Sequence, residues 1–174
     1  MQRLWLLDFS WSADGASPLR IPAPVNDLSL WQSEDGQWGR AYARVDAMPG
    51  VGWELLNRLQ HLDGASAGQA PACHYVVETD VAAEHERDFN VWYEQEHLPG
   101  LAAVPGTISA SRYRRTSGHP CYLACYDLTT PATLQRPEWL AVRHTDWSSR
   151  IRPLFRNTRR TMFHRPPAGR EPAR

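Results

Sequence analysis

The chain has 174 residues, enough for one full domain or two small fused ones with a core that needs no disulfide staples. Its formal net charge is zero, so no global field recruits nucleic acid or an anionic membrane. No stretch approaches the roughly 20 apolar residues of a membrane helix, and the apolar run from Leu4 to Leu7 is too short for a signal peptide. The three cysteines form no CxxC pair, and Cys121 and Cys125 on one strand would stand about 13 Å apart, too far for a bridge. These features predict a cytoplasmic protein with reduced, buried cysteines. The eight tryptophans suit cores, interfaces and aromatic pockets alike.

Along the chain, Leu4 to Phe9 reads as a strand, and the Pro, Ser, Ala and Gly content from Ser12 to Pro24 as a loop. Leu28 to Gln32 and Trp38 to Val45 read as a hairpin around Glu34-Asp35-Gly36. Trp53, Leu55, Leu56, Leu59 and Leu62 are spaced for a short amphipathic helix, and Gly64 to Pro71 has the composition of a linker.

The second part is more regular. His74 to Val81 is a predicted strand and Ala82 to about Leu98 a helix, ending raggedly at Pro99 and Pro105-Gly106. Thr107 to Arg114 and Tyr122 to Leu128 are predicted strands joined by a turn over Ser117 to Pro120. Thr130-Pro131 caps a helical region broken near Pro137, and Asn157 to Arg165 is a last strand. This β-α-β-β-α-β order is that of a ferredoxin-like unit, hence an α+β fold. Residues 1–70 read as a degenerate copy lacking its first helix, 71–165 as the complete copy, and 166–174 as a tail. A single sheet with helices on one face leaves the other bare, so the two units should form a barrel, within the chain or across a homodimer.

On the predicted helix, Phe89, Tyr93, His97 and Leu101 fall on one stripe, which places two proton-handling side chains among apolar ones. The run Trp92-Tyr93-x-x-Glu96-His97-Leu98-Pro99, then Val104-Pro105-Gly106 and Ser111-Arg112-Tyr113, resembles the EthD-like branch of the dimeric α+β-barrel superfamily. The resemblance covers about residues 72–165. It implies two facing ferredoxin-like sheets and a histidine at the His-Leu-Pro position that faces a cavity between helix and sheet. Members of the superfamily include monooxygenases, cyclases, isomerases and haem-binding proteins, so the fold alone does not choose an activity.

His97 is the candidate general base or acid, with Tyr93 assisting. Trp92, Arg112, Tyr113 and Tyr126 are candidate substrate-binding residues, Arg112 for an anionic group. Each also has a plain structural reading: a helix-end histidine, a satisfied core tyrosine, a paired arginine. The functional reading is a small cofactor-independent enzyme acting on an apolar, aromatic or carbonyl-bearing metabolite by acid–base chemistry, of cyclase, isomerase, dehydratase or monooxygenase type. Its alternative is a non-catalytic protein that carries a hydrophobic ligand. No cofactor and no metal is expected, with haem left open through His97, His144 or His164. Glu94-x-x-His97 is a single copy of a spacing that di-iron sites need twice. The arginine-rich segment from Arg150 onward is expected to serve charge pairing.

Overall fold

The computed structural model describes residues 3–11, 25 and 27–167, so the expected loop over 12–24 and the tail from 168 lie outside the described residues. The described residues form eight strands: β1 (Arg3–Ser10), β2 (Leu28–Ser33), β3 (Trp38–Val45), β4 (Glu54–Asp63), β5 (Cys73–Asp80), β6 (Thr107–Arg115), β7 (Tyr122–Leu128) and β8 (Arg156–His164). They close into one barrel in the order β1-β3-β2-β8-β5-β7-β6-β4. Every pairing is antiparallel, and the two halves meet at two seams, β2 with β8 and β4 with β6. The fold is therefore α+β, and the barrel closes within a single chain.

The segment expected as a helix around Trp53 to Leu62 is strand β4. It pairs with β1 through Leu4↔Leu56 and with β6 along most of its length. Its leucines fit a helical face in isolation, but closing the sheet satisfies backbone groups on both sides, and tertiary pairing overrides the local pattern. Leu59 is left largely exposed, as a residue at the irregularity between Arg58 and Gln60. The expected linker is also corrected. The amides of Gly64, Ala65 and Ser66 donate to Ile108, Ala102 and Thr107 carbonyls at 2.8–2.9 Å, so the segment is docked. A Cβ at Gly64 would lie 2.1 Å from the Thr107 carbonyl oxygen. Gly64→Ala is expected to destabilise the fold by about 2 kcal/mol or more, read as a fall in urea midpoint at unchanged slope.

The helix expected from Ala82 is subdivided: a 3₁₀ turn (Ala83–His85), α1 (Glu86–Trp92), a π-helical turn (Tyr93–His97) and α2 (Leu98–Ala102). Pro99 sits near the start of α2, where its missing N–H is least felt, so the chain runs on past it. After β7 come α3 (Pro137–Arg143) and α4 (Asp146–Ile151). These helices cover the outer face of the second-half strands and form the main apolar cluster around Phe89, Trp92, Leu98, Leu101, Tyr126 and Trp139.

Strand alternation divides the remaining side chains between inside and outside. Leu4, Leu6, Trp31, Tyr42, Val76, Tyr113, Leu123, Cys125 and Phe163 fill the barrel interior. One end of that interior is closed by ions. The buried Glu78 carboxylate accepts from Arg40 Nη2 at 3.1 Å, from Arg159 Nε at 2.7 Å and from Arg115. Arg40, fully buried, also grips Asp8 through two bonds at 2.6 and 2.7 Å. Arg159 thereby realises the charge pairing expected of the basic C-terminal segment.

Candidate functional site

Three of the described cavities bear on function: a narrow slot under the helices, an outer groove and a chamber inside the barrel. The π-helical turn and α2 deliver His97 to the slot, which has a volume of about 30 Å³, room for little more than a water or two. Trp92, Tyr93, His97 and Tyr126 all line it, so the structure brings four of the six candidate residues together. The His97 ring stacks on Trp92 at 4.2 Å and meets the Tyr93 ring edge-on at 5.3 Å. Its Nδ1 and the Tyr126 hydroxyl have no hydrogen-bond partner among the described residues, although both atoms are buried.

Burial, then the nearby charges of Arg152, Arg143 and Arg112, holds the His97 pKa down to about 3. The ring is thus neutral near pH 7, with one nitrogen that donates and one that accepts, and it is too weak a base to take a proton there as a general base would. Burial also pushes the Tyr93 hydroxyl up to about 12, against the pull of Arg112. Because the native ring resists a proton that the unfolded ring takes at about 6.5, its neutral burial favours folding above that pH. The contribution is lost as pH falls from 6.5 towards 3. Imidazole resonances of His97, assigned with a His97→Gln variant, are expected to stay unchanged between pH 5 and 8. A midpoint near 6.5 would contradict this.

Arg112 and Tyr113 do not join the slot. Arg112 lies on the helix-facing side of β6, donates to Asn90 Oδ1 at 2.8 Å and stands 4.1 Å over the Tyr93 ring. It lines the outer groove instead, a wide, open surface with Glu86, Asn90, Glu94 and Arg114. Tyr113, one residue on, points the other way, into the barrel.

That interior holds the chamber, of about 250 Å³, at the end opposite the ionic closure. A cavity of about 150 Å³ already binds benzene, so the chamber admits a one-ring or small two-ring compound. Its wall carries a continuous hydrogen-bonded chain. Asp127 Oδ1 accepts from His74 Nδ1 at 2.8 Å, and His74 Nε2 meets the Tyr42 hydroxyl at 3.0 Å. Ser109 donates to the other Asp127 oxygen at 2.9 Å. Burial opposes the Asp127 charge, yet His74, Ser109 and Arg165 hold its carboxyl below the usual range. With Asp127 ionised, Nδ1 is the donor, and in the neutral ring Nε2 accepts the Tyr42 proton. Trp31 fixes the imidazole plane by stacking on it at 4.9 Å.

A hydroxyl bonded to an imidazole that a carboxylate orients is the arrangement that activates side chains for proton transfer. Burial keeps the Tyr42 hydroxyl far above the usual tyrosine range, so it stays a phenol and passes a proton instead of holding a charge. The hydroxyls of Ser29, Ser111 and Tyr113 also line the chamber, and Ser111 Oγ meets His61 Nδ1 at 2.8 Å. At the mouth Arg44 pairs with Asp27 at 3.2 Å, and Arg165 lies over Trp31 at 4.3 Å, where its charge favours the Asp127 carboxylate. Sequence reasoning missed His74, Tyr42 and Asp127. Their trace is that His74 shares a strand face with Val76 and Glu78, as Asp127 does with Leu123 and Cys125.

No family model and no curated protein sequence matches the chain. Its structure superposes on a ferredoxin-fold protein related to antibiotic biosynthesis monooxygenases from Listeria monocytogenes (TM-score 0.67, 11% identity, 95% of this chain and 96% of that one). It is similar too to a heme-degrading enzyme from the same species (TM-score 0.64, 11% identity, 93% and 99%). A major regulator of staphylococcal pathogenesis superposes comparably (TM-score 0.68, 8% identity, 95% and 99%). The heme-degrading enzyme corrects the expectation that no cofactor is used: the same fold serves that enzyme, so cofactor independence does not follow from it.

Of the described histidines, His74, His97 and His144 do not offer a porphyrin an axial nitrogen in a roomy pocket. His74 has both ring nitrogens engaged, His97 faces a slot of about 30 Å³, and His144 is exposed at a helix end. Among the described residues no helix is long and apolar enough to cross a membrane, and no cluster of potential ligands could hold a metal ion. The chain has the ferredoxin-like α+β-barrel fold of the proteins related to antibiotic biosynthesis monooxygenases, with both halves of the barrel supplied by one polypeptide.

Proposed function

We propose that the protein is a small-molecule enzyme whose barrel chamber takes an uncharged compound bearing a hydroxyl or carbonyl group and moves a proton at it. The observation that carries this reading is the Tyr42–His74–Asp127 chain in the wall of a chamber of about 250 Å³. The ligand oxygen or acidic carbon sits against the Tyr42 oxygen. Its proton passes to Tyr42 as the Tyr42 proton passes to His74 Nε2, and Asp127 stabilises the resulting imidazolium. The two arginines at the chamber, Arg44 and Arg165, are balanced by two carboxylates, Asp27 and Asp127, which favours an uncharged ligand.

The likeness to monooxygenase-related and heme-degrading proteins supports a small-ligand or enzymatic role. The Trp92 to Gly106 pattern supports placing the second half with the EthD-like branch. The test is binding of 4-hydroxyacetophenone, followed by tryptophan fluorescence. Ser29→Phe, which fills the half-buried chamber wall, is expected to abolish saturable binding while circular dichroism stays unchanged. Equal binding by wild type and Ser29→Phe would remove the chamber as the site.

A further inference from the structure

The slot beside His97 has a feature that the barrel chamber lacks. Three arginines from three elements converge on it: Arg143 at the end of α3, Arg152 after α4 and Arg160 on β8. None has a carboxylate partner among the described residues; Arg152 Nη1 donates to the Arg143 carbonyl at 3.1 Å. Other arginines nearby are matched, as Arg159 is by Glu78 and Asp8. Like charges gathered at a partly buried site oppose one another, and Arg143 and Arg160, after burial, both disfavour the charge on Arg152. At the inner end of the same slot lie two buried polar atoms without partners among the described residues, His97 Nδ1 and Tyr126 Oη. A native fold rarely leaves such atoms unused unless something else satisfies them.

We propose that this slot is a second binding site, for a small planar oxyanion. Arg143, Arg152 and Arg160 hold the charge at the mouth, and an oxygen of the anion reaches inward to His97 and Tyr126. The narrowness of the slot selects size: a carboxylate tip or a free inorganic oxyanion enters, and a ring does not. Neutral His97 is suited to the place, because an Nδ1–H donor next to an anion needs no counter-charge. The site is separate from the chamber, which lies on the other face of the sheet, so it stands or falls independently of the function proposed there.

The test is an NMR titration of the His97 ring nitrogens with sodium formate, with sodium nitrate as the inorganic counterpart and sodium chloride at equal ionic strength as control. Formate is expected to shift Nδ1 saturably. Arg160→Gln, an exposed position that leaves the fold intact, is expected to weaken binding about tenfold, the worth of one charge-assisted hydrogen bond. Tighter binding of formate than of nitrate assigns the site to an organic carboxylate, and nitrate binding as tightly or more so assigns it to a free oxyanion. A shift that grows linearly and matches chloride overturns the proposal. So does a saturable shift unchanged in both Arg160→Gln and Arg152→Gln.

Discussion

Glu78→Gln is expected to cost the fold about 3–5 kcal/mol, the usual penalty for breaking a buried ion pair by removing one partner. Glu78 is fully buried and accepts from three arginines, and Arg40 is buried just as deeply. Glutamine keeps the shape and one acceptor but leaves the guanidinium groups facing each other across the barrel end, with only Asp8 and Glu54 among the described residues to answer them. The pH dependence follows from the same network. Burial raises the Glu78 pKa, and Arg40 and Arg159 overcome it, drawing it from 4.5 to about 2. Its stabilisation is therefore complete above about pH 4.5 and is lost as pH falls through about 2. The gap in unfolding free energy between wild type and Glu78→Gln, measured in urea at pH 7, is expected to shrink by about half or more at pH 3. A gap that stays constant with pH would show that the carboxylate charge is not what the fold depends on.

His74→Gln carries the second large effect. In the proposed function the imidazole is the proton's resting place and Tyr42 only relays it. Glutamine can still bond to Asp127 or Tyr42 but cannot become a cation. Proton exchange at the methyl group of 4-hydroxyacetophenone in D₂O, followed by NMR, is expected to fall about 100-fold or more. Binding of the same compound should change far less, because the chamber walls remain. Asp127→Asn should give an intermediate loss by presenting the wrong partner to Nδ1. Loss of binding in step with loss of exchange would make His74 a structural member of the wall, and binding without exchange in wild type would reduce the site to ligand carriage.

Much of the fold is legible in the sequence because seven of the eight strands have clear alternation bounded by Gly, Pro or polar turns. Strand β4 does not. Its leucines at 55, 56, 59 and 62 match a helical face, and only the partners β1 and β6, distant in sequence, decide the matter. The stripe of Phe89, Tyr93, His97 and Leu101 is legible for a related reason: helical spacing is local, and all four residues are buried as it implies. The barrel chamber is hidden because β5 has apolar side chains on both faces, Val76 inward and Tyr75 and Val77 under the helices. No local pattern says whether the face His74 shares with Val76 and Glu78 points into the barrel. The same parity sends Tyr113 away from Arg112 and His97, so neighbours in sequence end on opposite sides of the sheet.

The most direct measurement is a crystal structure of the protein soaked with 4-hydroxyacetophenone. The account predicts density for the compound inside the barrel, its oxygen against the Tyr42 hydroxyl and its ring between Trp31 and Tyr113. Density confined to the outer groove or the His97 slot, with the chamber unchanged, would contradict it.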